Sequence, residues 1–126
     1  MKFLIILLWA SFFLFCLVGS QAVFADSCMV ETVFMGKSSK QCATNGSLPQ
    51  ASFEAICNIG KDKPVTGMQL NITFMPKCPS GHFGYCESKM PAGTIINYYY
   101  SEKSAQRTKK VCNASNPMGP GTWHDP

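Results

Sequence analysis

Six of the seven cysteines in this chain lie downstream of a hydrophobic N-terminal segment, and they constrain the fold more than any other feature. An even set of cysteines in a small exported domain is typical of a disulfide framework. We therefore expect three disulfide bonds, formed in an oxidising compartment. The residues concerned are Cys28, Cys42, Cys57, Cys78, Cys86 and Cys112.

Residues 1–25 have the composition of a secretory signal peptide. One positive charge, Lys2, precedes an apolar run over residues 3–18, and small residues follow it. These small residues favour cleavage after Ala25, with cleavage after Ala22 as the alternative. The apolar run also overlaps in length with a membrane span, so an uncleaved anchor is a further alternative. Cleavage predicts a mature protein that is secreted or periplasmic.

Cleavage leaves residues 26–126 as a single domain with little net charge. The loss of Lys2 lowers the formal net charge from +4 to +3. Nucleic-acid-binding domains carry a dense basic surface, so this charge predicts no nucleic-acid partner. A domain of this size buries a modest core, and disulfides are expected to supply part of its stability.

The pattern of apolar residues predicts a small α+β domain with a mostly antiparallel sheet and two short helices. Residues 68–75 alternate between apolar and polar side chains, and residues 94–100 are β-branched and aromatic, so both segments are expected to be strands. A first strand is predicted over residues 28–35 and a short one around residues 83–87. Residues 36–46 are small and polar and are expected to form a loop.

The two helices are predicted from their start signals. Ser47 and Gln50 match a capping box, in which each side chain bonds to a backbone N–H of the first turn. The first helix is expected to follow and to end near Gly60. Ser101 is expected to cap a second helix over residues 102–111.

A weak similarity between the two halves of the chain indicates how the cysteines pair. Each half has a cysteine, a strand, a helix and then a second cysteine, at similar separations. A helix that packs antiparallel on its preceding strand brings its end close to the start of that strand, as a disulfide requires. The expected pairs are Cys28–Cys57 and Cys86–Cys112, with Cys42–Cys78 joining the halves. Six cysteines allow many other pairings, which stay open.

The last third of the chain resembles a group of small secreted bacterial proteins. The shared features are a short loop between cysteines, a Tyr-rich strand, a short helix that ends in cysteine, and a Gly-Thr-Trp sequence. They are carried by Cys78, Tyr85-Cys86, Tyr98-Tyr99-Tyr100, Cys112 and Gly121-Thr122-Trp123. The role of those proteins is undefined, so the resemblance implies a small cysteine-rich secreted protein and no particular activity.

The two histidines, His82 and His124, are the candidates for acid–base catalysis. One imidazole acting as base and one as acid would suit a small secreted ribonuclease-type phosphodiesterase. His124 lies in a tail rich in proline and glycine, residues 113–126, so the pair meets only if Trp123 docks the tail near His82. No motif for a catalytic pocket accompanies the histidines, which makes catalysis the alternative hypothesis.

The run from Cys78 through His82 to Cys86 has the spacing of a metal site. In an oxidising compartment, however, cysteines form disulfides more often than metal sites, and a single histidine would then remain. We therefore expect neither a metal nor another cofactor.

A binding surface is predicted beside the tyrosine run at residues 98–100. Tyrosine is enriched at protein interfaces, and Tyr99 is expected to be half exposed while its two neighbours cover the core. Lys103, Arg107 and Lys110 follow at helical spacing and give the second helix a cationic face. The leading hypothesis is therefore a non-catalytic protein that binds a macromolecular partner, such as an inhibitor, an immunity-type factor or a surface-interaction factor.

Two further features leave alternatives open. Asn45, Asn71 and Asn113 begin Asn-x-Ser/Thr sequons, which carry glycans in a eukaryotic secretory pathway and have no such role in a bacterium. A cationic membrane-active protein is the remaining hypothesis. It is disfavoured by the low net charge and by the lack of a basic helix with a broad apolar face.

Overall fold

The computed structural model describes residues 25–114 and 120–126, so the predicted signal peptide lies outside the described residues apart from Ala25. Within these ranges the chain forms six strands and two helices. The strands are β1 Ser27–Phe34, β2 Lys37–Asn45, β3 Met68–Met75, β4 Tyr85–Met90, β5 Gly93–Tyr99 and β6 Gly121–His124, and the helices are α1 Gln50–Asp62 and α2 Glu102–Cys112. The sheet predominates, and the helices are few.

The described strands form one antiparallel sheet with the order β3-β1-β2-β5-β4-β6. This order is symmetric, because each half of the chain runs strand, strand, helix, strand, and the halves meet where β2 pairs with β5. Cys28 and Cys86 lie in one cross-strand row, through Ala43 and Asn97. Side chains in such a row point to the same side, so the helices bonded to these two cysteines cover the same face of the sheet.

The structure confirms the three predicted disulfides. Cys28–Cys57 joins β1 to α1, Cys86–Cys112 joins β4 to α2, and Cys42–Cys78 joins β2 to the segment that follows β3. Each helix is thereby fixed by a covalent bond to the first strand of its own half.

The prediction of a loop over residues 36–46 is wrong, because Lys37–Asn45 is the central strand β2. A two-residue turn at Met35 and Gly36 joins it to β1, and both residues have positive φ angles, of 50° and 73°. Turns of this kind match the twist of the paired strands. The first five residues of β2 are exposed at the end of this hairpin, and only Cys42 and Ala43 are buried. The strand therefore shows no alternation between apolar and polar residues.

The predicted capping box of α1 is also wrong, although the helix itself forms. Its N-cap is Pro49, which makes no side-chain hydrogen bond to the helix. The Ser47 hydroxyl instead accepts a hydrogen bond of 2.8 Å from the Thr94 N–H, and thus ties this loop to β5. Asn45 orders the turn, because its side-chain oxygen accepts from the Leu48 N–H at 2.8 Å and its amide donates to the Leu48 carbonyl at 3.0 Å.

The start of α2 agrees with prediction, since the Ser101 hydroxyl accepts a hydrogen bond of 3.3 Å from the Ser104 N–H. The predicted short strand is β4, which begins at Tyr85 and extends to Met90. The tail contains an unpredicted edge strand, β6, which pairs with β4.

The core occupies both faces of the sheet. The larger cluster lies under α1, where Phe53 is 0% exposed and Ile95 is 1% exposed. A smaller cluster on the opposite face surrounds the Cys42–Cys78 disulfide, and Tyr98 and Tyr100 pack against it. Tyr99 points to the helix side, as does Ile95 four positions earlier on β5, and it is partly buried there.

Candidate functional site

Both histidines contact the same tyrosine, Tyr85, on the face of the sheet opposite the helices. The His124 ring stacks on Tyr85 with a centroid distance of 4.6 Å and an interplanar angle of 12°. The His82 ring meets Tyr85 edge-on at 5.8 Å, and Tyr98 lies 5.1 Å from Tyr85. We call His82, Tyr85, Tyr98 and His124 the aromatic cluster. The β4–β6 pairing creates it by placing Tyr85 opposite His124.

The two imidazoles of this cluster have different polar surroundings. Nδ1 of His82 accepts a hydrogen bond of 3.3 Å from the Gly84 N–H. In the neutral ring this bond assigns the hydrogen to Nε2. Nε2 of His124 is buried and has no hydrogen-bond partner among residues 25–114 and 120–126; it lies 3.7 Å from a carboxylate oxygen of Glu87. Both rings contact Tyr85, one by its edge and one by its face.

A groove runs between the two helices on the other face of the sheet. Its walls include Ile56 and Ile59 of α1 and Val111 of α2, and its floor includes Ala43 and Asn97. The volume of about 500 Å³ falls within the range of small-molecule sites in proteins. We call this cavity the interhelical groove.

The predicted binding residues are only partly together. Tyr99 and Arg107 line one depression of about 190 Å³, next to Lys40 and Gln41 of β2. Lys103 and Lys110 are exposed on α2 and line neither this depression nor the interhelical groove. Two of the four predicted residues, Tyr99 and Arg107, therefore share a polar depression. The other two, Lys103 and Lys110, lie on the exposed surface of α2.

Tyr99 is held between the sheet and α2. Burial raises the pKa of its phenol, and a hydrogen bond with the Thr108 side chain acts in the opposite direction. Its ring centroid lies 5.9 Å from that of Trp123 on β6. The phenol therefore remains protonated well beyond neutral pH, as a neutral polar group at the end of the groove.

The cations of α2 differ in their partners. Lys109 bonds to both carboxylate oxygens of Asp125, at 2.7 and 3.0 Å, and so ties the helix to the end of the chain. Within residues 25–114 and 120–126, no carboxylate lies within ion-pair distance of Lys103, Arg107 or Lys110. These three side chains are the cations of α2 that have no ion-pair partner in those ranges.

The neighbouring cation of β2 is already engaged. The Lys40 ammonium lies 2.7 Å from the Glu31 carboxylate, and this hydrogen bond and charge lower the pKa of Glu31. Arg107 is therefore the cation of the depression that has no acidic partner in the described ranges.

The remaining sequence motifs have structural settings of their own. Cys78 and Cys86 are bonded to other cysteines, so the run between them has no thiolate to offer a metal. In the part of the chain that the structure describes, no group of three or more His, Cys, Asp or Glu residues is arranged to hold a metal ion. No helix in that part is long and apolar enough to cross a membrane.

The three sequons are in different environments. Asn71 is exposed on the edge strand β3, whereas the Asn45 side chain is bonded to Leu48. The Asn113 side-chain oxygen accepts a hydrogen bond of 3.0 Å from the Trp123 N–H. The serine of this last sequon, Ser115, lies outside the described residues.

Sequence reasoning missed two residues of the aromatic cluster and its surroundings, Tyr85 and Glu87. Their spacing of two in β4 places both on the face that carries the histidines. This spacing is visible in the sequence, but it does not indicate a site until β6 is known, because the pairing of β6 with β4 brings His124 beside Tyr85 and Glu87.

Comparison with known proteins found no matching family model, no matching curated protein and no matching solved structure.

Proposed function

We propose that this is an exported, non-catalytic protein that binds an acidic protein partner through α2, as an inhibitor, an immunity-type factor or a surface-interaction factor. The observation that carries the proposal is the set of exposed cations on α2 beside Tyr99. They are Lys103, Arg107 and Lys110, and no acidic side chain of the described residues neutralises them.

The spacing of these cations suits recognition of a surface. Residues four and three apart lie on one side of a helix, so the three side chains project in similar directions. Charge complementarity between surfaces speeds association and selects among partners. An acidic surface is the partner chemistry that fits.

The anchoring of α2 supports the same proposal. The Cys86–Cys112 disulfide and the Lys109–Asp125 hydrogen bonds hold the helix at its C-terminal end. A helix that is already fixed loses little conformational freedom on binding, so more of the interaction energy contributes to affinity. The composition of the N-terminal segment supports export, and so do the three disulfides, because disulfides form in oxidising compartments.

A pull-down tests this proposal. The oxidised protein serves as bait, and proteins of the cell envelope and culture medium of its own organism serve as prey. We expect one stoichiometric partner that is captured by wild type and Lys37→Glu and is lost with Arg107→Glu. Lys37 is exposed at the end of the β1–β2 hairpin, so its variant makes the same charge change away from α2. Equal capture by both variants would exclude α2 as the interface.

A second candidate is the phosphodiesterase, because both histidines contact Tyr85. It predicts that wild type cleaves RNA and that His82→Ala and His124→Ala both abolish the cleavage while the fold is retained. The binding proposal predicts no cleavage by wild type under conditions in which a control ribonuclease is active.

A further inference from the structure

The interhelical groove has an apolar mouth that the described residues leave uncovered. Ile59 of α1 is 64% exposed and Val111 of α2 is 53% exposed, and both line the groove. Apolar side chains at the edge of a concave cavity lose their contact with water when a ligand enters, which favours binding. Val30, Ile56 and Leu70 extend the apolar lining inwards.

The groove is polar where it adjoins the depression that holds Arg107, and we call this part its Tyr99 end. Gln41 donates a side-chain hydrogen bond of 3.2 Å to Asn97, and Tyr99 and Thr108 complete this end. Gln41, Tyr99 and Thr108 also line the depression that holds Arg107, so the two cavities adjoin through shared residues. The lining therefore changes from aliphatic side chains to amides and hydroxyls, and then to a guanidinium.

We propose that this groove binds a free single-chain anionic amphiphile of the fatty-acid class. The hydrocarbon chain lies between α1 and α2, and the carboxylate lies at the Tyr99 end, where Arg107 pairs with it. A guanidinium binds a carboxylate by paired, charge-assisted hydrogen bonds. The proposal does not rest on the protein contact proposed above, although Arg107 takes part in both.

Two features favour a single chain over a bilayer surface. The apolar side chains line a concave groove of about 500 Å³, which accepts a chain and offers no broad surface to a membrane. The cation that matches the headgroup lies beside one end of the groove, so charge and polarity together assign a direction to the ligand.

NMR titration of the exported, oxidised protein with sodium decanoate, below its micelle concentration, tests the proposal. We expect saturable shifts of the methyl signals of Ile56, Ile59 and Val111 and of the Arg107 side-chain N–H. Affinity should rise roughly fourfold per methylene from octanoate to dodecanoate, as the burial of each methylene predicts. Decylamine should bind more weakly than decanoate, because its charge repels Arg107.

Variants separate the two halves of the site. Arg107→Gln should weaken decanoate binding roughly tenfold or more, the usual effect of losing a charge-assisted hydrogen bond, and should leave decanol binding unchanged. Lys103→Gln removes the same charge from the same helix outside the groove and should bind like wild type. Val111→Glu and Ile59→Asn should each reduce the binding of both ligands; both positions are largely exposed, so the fold should tolerate the changes.

Several results would overturn the proposal. They are shifts that do not saturate or lie outside the groove, equal binding of decylamine and decanoate, and equal losses in Arg107→Gln and Lys103→Gln. Binding to vesicles of anionic lipid without binding to monomeric decanoate would indicate a membrane-surface interaction instead. The pull-down is read out independently, so either proposal can fail while the other stands.

Discussion

Removal of the Cys86–Cys112 disulfide should destabilise the domain by about 3.5 kcal/mol. The two cysteines are 26 residues apart, and the loop-closure entropy that their bond removes from the unfolded chain gives this magnitude at 25 °C. Small domains have total stabilities of about 5–15 kcal/mol, so the loss is a large fraction of the whole. In thermal terms it corresponds to a fall in Tm of about 15–25 °C.

The double variant Cys86→Ala/Cys112→Ala measures this effect. Both side chains are buried, and alanine avoids the unsatisfied hydroxyl that serine would bury. Urea unfolding followed by circular dichroism gives the free energy of unfolding of the variant and of the oxidised wild type. The matched control is Cys28→Ala/Cys57→Ala, whose bond closes a loop of 29 residues in the other half. Because loop entropy changes slowly with length, the two losses should agree within about 0.5 kcal/mol.

Two results would refute this reasoning. A loss below about 1 kcal/mol in the Cys86→Ala/Cys112→Ala variant would mean that the bond hardly restricts the unfolded chain. Unequal losses in the two variants, by more than about 2 kcal/mol, would mean that packing and not loop closure determines the cost. The same variant should also bind the proposed protein partner less tightly, because α2 loses its covalent attachment to β4.

Three further predictions concern the core, the edge strand and the chain end. Phe53→Ala should cost about 3–5 kcal/mol in urea unfolding, because the side chain is fully buried under α1. Gly121→Ala should displace β6 and change the Trp fluorescence spectrum, because the new Cβ would lie 2.4 Å from the Cys112 carbonyl oxygen. The hydrogen bond from Lys109 lowers the pKa of Asp125. The ionised Asp125 carboxylate therefore stabilises the folded protein above the ordinary aspartate pKa, and this stabilisation is lost as the pH falls through the lowered pKa. Asp125→Asn should therefore reduce the loss of stability on acidification, measured as Tm between pH 6 and pH 2, roughly the range over which carboxylates titrate.

The elements that the sequence predicts well are those whose signal is local. The strand β3 alternates between apolar and polar residues from Met68 to Phe74, and its predicted and observed bounds coincide. Ser101 immediately precedes the first residue of α2, and its side chain caps the helix as expected. The disulfides followed from one geometric rule, since each helix packs back on the strand that begins its half.

The elements that the sequence predicts poorly depend on partners distant in the chain. Lys37–Asn45 is a strand because β1 and β5 flank it, while its own side chains are mostly polar and exposed. Ser47 has the spacing of a helix cap, but Thr94 competes for its hydroxyl across the sheet. Gly121–His124 is too short for a periodic signal and is a strand only because β4 offers a free edge.

The candidate sites show the same division. The spacing of Lys103, Arg107 and Lys110 along a helix is a local property, and the structure places all three on the exposed surface of α2. The interhelical groove and the aromatic cluster each require residues from both halves or from distant strands. Neither is predictable until the pairing of β2 with β5 and of β4 with β6 is known.

Site-specific photocrosslinking tests most directly the claim that α2 contacts a protein partner. A photoreactive amino acid replaces Lys103 on α2 in one protein and Thr73 on the opposite face of β3 in another; both positions are exposed. After exposure to envelope and medium proteins of the same organism, we expect one discrete crosslinked species from position 103 and none from position 73. Crosslinking from position 73 alone, or from neither position with the domain confirmed folded and oxidised, would contradict the account.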